Sequence, residues 1–304
     1  MADELLRGTA LDGRARFAVA DTTAAVETLR EIHDLSPTVT AALGRVATGA
    51  LLLAATLEKL SAREPVVTVE VEGDGPAGRL VATASPAGWV RGFARNPRAS
   101  VPARDDGKLD VGAVVGRNGM LTVTRDPGIG EPWRGVVPLQ SGEIARDLAR
   151  YLHDSEQLPS AVGLGVFVVP EGHVTHAGGW LVQLLPGVSE READDLAERV
   201  RQLGPVTARL RAGRGPRSWL ADLFPGGFEI LETNPVRFAC GCSRERVEKA
   251  LRLLGPREVR SLLEEARRKN EPAELQCEFC RARYPVSPDD LARILRELEE
   301  GASR

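Results

Sequence analysis

The chain holds four cysteines in 304 residues, and they fall into two tight pairs toward the C-terminus: Cys240 and Cys242 in "FACGCSRERVEKAL", Cys277 and Cys280 in "LQCEFCRARY". The motif is C-x-C-x34-C-x2-C. Two close pairs drawn from so small a pool argue against unrelated structural cysteines. Four thiolates grouped in this way can surround one Zn2+ tetrahedrally, with zinc–sulfur distances near ~2.3 Å. A closed set of four leaves no position for water, so one structural zinc per chain is expected, with Cys240, Cys242, Cys277 and Cys280 as ligands. The C-x-C pair stands just ahead of a helix-like stretch, where the helix dipole favours thiolate. Arg244 and Arg246 add positive charge beside it, and Glu245 offsets part of that charge. A zinc-bound thiolate stays open to attack by an oxidant, and each pair is close enough in sequence to form its own disulfide, although a C-x-C ring is small and strained.

The segment that carries these pairs is short of other means of holding itself together. A piece of about 70 residues rarely gains more than ~3–5 kcal/mol from its own core. Residues 235–304 have only Phe238, Phe279 and Tyr284 as aromatics. Structural zinc contributes roughly 10–16 kcal/mol in finger peptides. Removal of the metal is therefore expected to unfold this part of the chain.

The elements that must position the cysteines follow from the pattern. Residues 22–34 and 36–60 read as helices, the second with Ser36 as N-cap, Pro37 at its first position, and Val39, Leu43, Val46 and Leu53 close to one face. From 66 to 140 the pattern turns to strands, among them the alternating "VTVEVEG" and a hairpin at "RNG". Ser141 is expected to open a helix bearing Ile144, Leu148, Tyr151 and Leu152. The strand-like runs "GLGVFVV" and "GGWLVQLL" follow. Without strict βαβ alternation the class is α+β, a mixed N-terminal core. Pro186-Gly187 marks a boundary. Beyond it, Ser189 and Glu192 form a capping box for a helix with the apolar stripe Ala193, Leu196, Ala197, Val200 and Leu203. A broken apolar stretch with Trp219, Leu220, Leu223 and Phe224 comes next. The latch residues Ala193, Leu196, Val200, Leu203, Trp219 and Phe224 are expected to lie against the core. From about 235 the cysteine pairs bracket two helices, one with Val247, Ala250, Leu251 and Leu254 and one with Val259, Leu262, Leu263 and Ala266, before a last helix at 288–300.

Other motifs have plainer readings. "GDGPAG" at 73–78 matches G-x-G-x-x-G, but strand-like "RLVATA" follows where a dinucleotide site needs a helix N-terminus, so it reads as a turn. His173 and His176 lie in a Gly-rich turn with too few neighbours for a zinc site. Asp105-Asp106 and Asp194-Asp195 read as solvated carboxylates. Nothing in residues 1–235 forms a catalytic constellation, and no enzyme activity is expected. A composition of 42% apolar and 27% charged residues is that of a soluble globular protein. The net charge of −3 gives no general attraction to nucleic acid or anionic membrane. "MADELLRGTALDG" lacks a signal-peptide core, and the apolar run "ALLLAATL" at 50–57 is far below the ~20 residues of a membrane helix. A cytoplasmic protein is expected.

The segments "CGCSRERVEKAL", "CEFCRARY", "GDGP" at 73–76, "RGFAR" at 91–95, "SEQLP" at 155–159 and "AGGWLVQLLPG" at 177–187 resemble the heat shock protein 33 family of redox-regulated chaperonins. They span nearly the whole chain in the family's order. The resemblance implies an N-terminal α/β core at 1–186, a metastable helical linker at 187–234 packed on it, and a C-terminal zinc-binding redox-switch domain at 235–304. It also implies an ATP-independent holdase, silent when reduced and zinc-bound. Oxidants acting with heat, or hypochlorite, would form the disulfides Cys240–Cys242 and Cys277–Cys280, release zinc and unfold the linker. The activated chain would form a homodimer and bind unfolded or oxidatively damaged client proteins.

Two other classes compete. A zinc-ribbon nucleic-acid binder would want a basic stripe, yet residues 235–304 carry 15 Arg or Lys against 13 Asp or Glu. A thiol–disulfide oxidoreductase acting through Cys277 and Cys280 would want a thioredoxin-like βαβ context, which "PAELQCEFCRARY" does not show.

Overall fold

The computed structural model describes residues 2–58 and 60–302, and side chains as far as residue 300. It contains two compact units, divided between Ala239 and Cys240. The first is built from β1 (Glu4–Ala10), β2 (Ala15–Asp21), α1 (Thr23–His33), α2 (Pro37–Ala54), β3 (Val66–Gly73), β4 (Arg79–Ala84), β5 (Trp89–Ala94), α3 (Val111–Val115), β6 (Gly119–Asp126), β7 (Trp133–Pro138), α4 (Ala145–Glu156), β8 (Ser160–Val168), β9 (Val174–Leu184), α5 (Glu190–Leu203), α6 (Val206–Arg211), α7 (Pro216–Leu223), β10 (Phe228–Pro235) and β11 (Arg237–Phe238). One sheet has the order β10-β1-β2-β9-β8 and the other β11-β5-β4-β3-β6-β7. Mixed helices and largely antiparallel sheets make the fold α+β.

Helix α2 organises the first unit. It packs on β3, β4 and β5 of one sheet and on β8 and β9 of the other. A helix that is apolar all round must be shielded all round, and this one is: side chains on every face are buried, well beyond Val39, Leu43, Val46 and Leu53. By length and composition α2 could cross a membrane, but 89% of it is buried inside the protein. Its start matches expectation, with Ser36 Oγ accepting from the Val39 amide at 3.3 Å and Pro37 at the first position. Its end does not, since the helix stops at Ala54 rather than running to 60. Two arginines from the sheets take up the terminal carbonyls that water or a further turn would otherwise satisfy. Arg7 of β1 donates to Ala55 O and Leu57 O, and Arg125 of β6 to Leu53 O and the Thr56 hydroxyl.

The five-stranded sheet is buried on both faces. Alternate residues of its strands point opposite ways. Leu5, Ala18 and Leu181 face the α2 side, while Leu6, Phe17, Val19, Trp180 and Val182 face a second core. The segment after Gly187 fills that second core: Leu196, Leu203, Val206, Leu210, Trp219, Leu220, Leu223 and Phe224 pack there. The chain then adds β10 as an antiparallel edge strand against β1. Neither the β1–β2 hairpin nor β10 is expected from the sequence pattern. The alternation of "FEILETNP" is of half-buried and exposed residues, so it lacks the strong apolar signal of a core strand.

Of two smaller expectations, one is corrected and one holds. The helix placed from Ser141 starts at Ala145, because the buried Asp147 carboxylate gathers the Gln140, Ser141 and Ile144 amides and the Ser141 hydroxyl into a tight loop. "GDGPAG" is indeed the turn joining the antiparallel β3 and β4. A Cβ on Gly75 would lie 2.4 Å from the Val115 carbonyl carbon, so glycine is required by packing against α3 rather than by any ligand.

The second unit comprises α8 (Arg244–Leu254), α9 (Pro256–Lys269), the hairpin β12 (Ala273–Gln276) and β13 (Arg283–Val286), and α10 (Pro288–Ala302). Leu251, Val259, Leu263, Val286, Leu291 and Ile294 form its core. Of the apolar residues expected on α8, Ala250 and Leu254 are exposed, and Val247 packs on the core's edge. Ion pairs Arg244–Asp290, Arg252–Glu297 and Arg293–Glu248 tie α8 to α10 across the surface.

Candidate metal centre

The two cysteine pairs come from different local structures. Cys240 and Cys242 lie in irregular chain between β11 and α8, whose N-cap Ser243 accepts from the Arg246 amide at 3.3 Å. Cys277 and Cys280 form the bend between β12 and β13. There Cys277 donates its amide to Ala282 O, Arg281 donates to Cys277 O, and Arg281 adopts a left-handed φ of 59°. The C-x-x-C therefore tips a hairpin rather than opening a helix, unlike a thioredoxin-type dithiol.

The fold brings the four sulfurs together. All four Sγ atoms lie within 4.8 Å of one another, each half-buried, and none is in a disulfide. Cys240 and Cys277 approach to 3.8 Å, and Cys242 and Cys280 to 3.3 Å. Four sulfurs around a tetrahedral zinc would stand about 3.8 Å apart. The set fits a four-thiolate metal site in number, chemistry and spacing.

The surroundings of the sulfurs differ. Burial works to raise Cys242, but the Tyr284 hydroxyl and the neighbouring thiols outweigh it and bring the group down to about 7. Burial pushes Cys280 up to about 12 against the pull of the Ala282 amide, with the other thiols adding to the rise. Cys277 is also raised, chiefly by burial. A cation bound among them would favour the thiolate form of all four. The arginines contribute less than their sequence positions imply. Arg244 is taken up by Asp290 and the Pro285 carbonyl, while the Arg246 guanidinium lies over Gly241. The unexpected neighbour is Tyr284, whose hydroxyl donates to Cys242 Sγ at 3.0 Å. Its one sequence signal is its position four residues past Cys280, on the strand that returns from the bend.

The residues expected to cover the core sit in the first unit. Leu196 is 5% exposed, Trp219 is fully buried with its indole N–H donating to Arg214 O at 2.7 Å, and Leu203 and Phe224 are buried. Val200 is half-buried against them. Ala193 is half-buried in a separate surface cleft beside Leu158 and Pro159, and Ala197 points to solvent, so the buried stripe of α5 is narrower than its sequence indicates. His173 and His176 do not converge: His173 Nδ1 faces Glu27 at 3.2 Å, and His176 meets the Thr175 hydroxyl and the Phe167 ring.

Comparison with known proteins places this arrangement in a class. The family model described as "Hsp33 protein" matches residues 3–287. The 33 kDa chaperonin of Desulforamulus reducens is 43% identical over 301 residues, covering 99% of each chain. That of Listeria monocytogenes serotype 4a is 40% identical over 302 residues, covering 98% of this chain and all of the relative. The crystal structure of the 33 kDa chaperonin (heat shock protein 33 homolog) of Thermotoga maritima superposes with a TM-score of 0.85 at 32% identity, over 99% of this chain and all of that one. Fold and site thus define a chaperone with a C-terminal four-cysteine module. The chain belongs to the Hsp33 family.

Proposed function

We propose that the protein is a redox-regulated, ATP-independent holdase, inactive when reduced and zinc-bound. The observation that carries this reading is the convergence of all four Sγ atoms within 4.8 Å, from two arms separated by 34 residues. A bound zinc ion would keep Cys240, Cys242, Cys277 and Cys280 as thiolates and cross-link the two arms. An oxidant such as peroxide or hypochlorous acid takes two electrons from one sulfur, giving a sulfenic acid or its chloride equivalent. The partner thiolate then displaces hydroxide or chloride, forming Cys240–Cys242 and, in a second event, Cys277–Cys280. Two disulfides leave no ligand set to retain the cation, and the second unit, with its small core, loses its fold.

The first unit supplies the client-binding step in this reading. Residues 187–234 form a metastable linker over the 1–186 core, and the module from 235 onward is the switch. Release of α5–α7 uncovers Phe17, Trp180 and Val182 together with the linker's own Leu196, Trp219 and Phe224. That apolar surface binds unfolded or oxidatively damaged proteins and holds the active form as a homodimer. The protein acts in the cytoplasm under oxidative stress, performs no chemistry on clients, and has no nucleic-acid or membrane partner. Suppression of client aggregation, measured before and after peroxide with zinc release followed in the same sample, tests the reading. Strong suppression by the reduced, zinc-loaded chain would overturn it.

A further inference from the structure

The four sulfurs are not equivalently surrounded. The hairpin that carries Cys277 and Cys280 is closed by its own backbone: the Cys277 amide donates to Ala282 O, and the Arg281 amide to Cys277 O. Cys242, on the other arm, instead receives a hydroxyl from a side chain of that same hairpin. Tyr284 stands on β13 opposite Leu275 of β12, and its hydroxyl reaches across to Cys242 Sγ at 3.0 Å, a short contact for a sulfur acceptor. The bond joins residues 42 apart in sequence and links the C-x-C arm to the C-x-x-C arm independently of any shared cation.

We infer that Tyr284 is the outer partner of the metal centre, fixing Cys242 in place and lowering the reactivity of its sulfur. This rests on the metal and redox reading above. Outer partners orient metal ligands, and their loss typically costs 10–100-fold in metal affinity. A donor held against a thiolate also withdraws electron density from the lone pair that attacks an electrophile. Attack of a thiolate on peroxide forms an S–O bond, breaks the O–O bond and oxidises the sulfur by two electrons. The departing hydroxide takes a proton to become water. Cys242 is disfavoured as the sulfur that makes this first attack, and serves instead as a thiolate that closes a disulfide on a partner already oxidised.

Tyr284→Phe in the full-length chain keeps the ring and removes only the donor. In the cobalt(II)-loaded variant the thiolate-to-cobalt charge-transfer band should move to lower energy, since the Cys242 lone pair is no longer stabilised. Zinc should pass to a competing chelator with an affinity at least about tenfold weaker than wild type. With limiting iodoacetamide on the zinc-loaded protein, the share of first adducts found at Cys242 by peptide mass spectrometry should rise severalfold. If the phenylalanine variant folds poorly, fluorotyrosine labelling gives the opposite perturbation: a more acidic phenol donates more strongly and should move the band to higher energy. Only Tyr151 shares that label, and it lies in the first unit. A wild-type chain that loads normally beside a variant with unchanged band, affinity and adduct distribution would overturn the role of Tyr284 alone. A wild-type chain that takes up neither cobalt nor zinc would remove the metal reading and this inference together.

Discussion

Arg14 donates through both terminal guanidinium nitrogens to the two carboxylate oxygens of Glu192 at 2.8 Å, clamping the first turn of α5 to the β1–β2 turn. The same arginine donates to Gly187 O at 3.1 Å, and the same glutamate completes the capping box with Ser189. The start of α5 is thus held by one charge pair bridging 178 positions of sequence.

That pair sets an acid limit on the attachment of α5. The Arg14 guanidinium, with help from Ser189, lowers Glu192 to about 2 from its ordinary 4.5. A depressed carboxylate stabilises the fold fully above its unfolded pKa, and the contribution is lost as pH falls from 4.5 through about 2. Glu192→Gln keeps the cap and loses the charge. Urea midpoints of wild type and variant should differ at pH 7 and converge as pH drops through this window. A constant difference down to pH ~2.5 would show that the ion pair does not stabilise the folded chain.

Asp3 gives the opposite pH dependence. Its carboxylate accepts from the Ala24 and Ala25 amides at the start of α1. Burial, opposed by those amides and aided by Asp21, raises it from 3.8 to about 6. A raised acid stabilises the fold below 3.8 and loses that contribution as pH climbs through about 6, with a slope of at most ~1.4 kcal/mol per pH unit. Stability of wild type should therefore decline across pH 4–6 relative to Asp3→Asn, as read by thermal melts in one buffer series.

Leu196→Ala should bypass part of the switch. The side chain is buried in the second core, so truncation costs ~2–5 kcal/mol. Such a loss is enough to move a two-state balance set by a few kcal/mol. The reduced variant should keep its zinc, bind a surface-hydrophobicity dye more than wild type, and suppress aggregation in part. If it folds, retains zinc and stays silent, the linker is not the coupling element.

Loss of one ligand should show in the metal content. Wild type is expected to bind one zinc through four thiolates. Cys277→Ser leaves three thiolates, and competition with a chelator should reveal a much weaker site. Removing zinc from wild type should erase amide protection in residues 244–300 and leave that of α2 intact. Full, tight occupancy in the serine variant would end the four-ligand model.

The sequence alone was sufficient wherever the determinant is local. C-x-C and C-x-x-C pick out the four sulfurs that converge because the members of each pair are neighbours in the chain, and the chain has no other cysteine. The capping box of Ser189 and Glu192 and the turn at 73–78 are legible for the same reason, since the groups that satisfy each other are neighbours in the chain. Tertiary structure decided everything that depends on what comes to lie opposite. β10 becomes a strand by pairing with β1 across more than two hundred residues, and α2 ends where arginines from β1 and β6 reach its carbonyls. Ala197 turns to solvent because α5 meets its neighbours, chiefly α7, along a face narrower than its apolar stripe. Tyr284 meets Cys242, and Arg14 meets Glu192, only once their arms are folded. An apolar or polar residue type states what a side chain requires from its surroundings, whereas the identity of the partner is settled by chain topology.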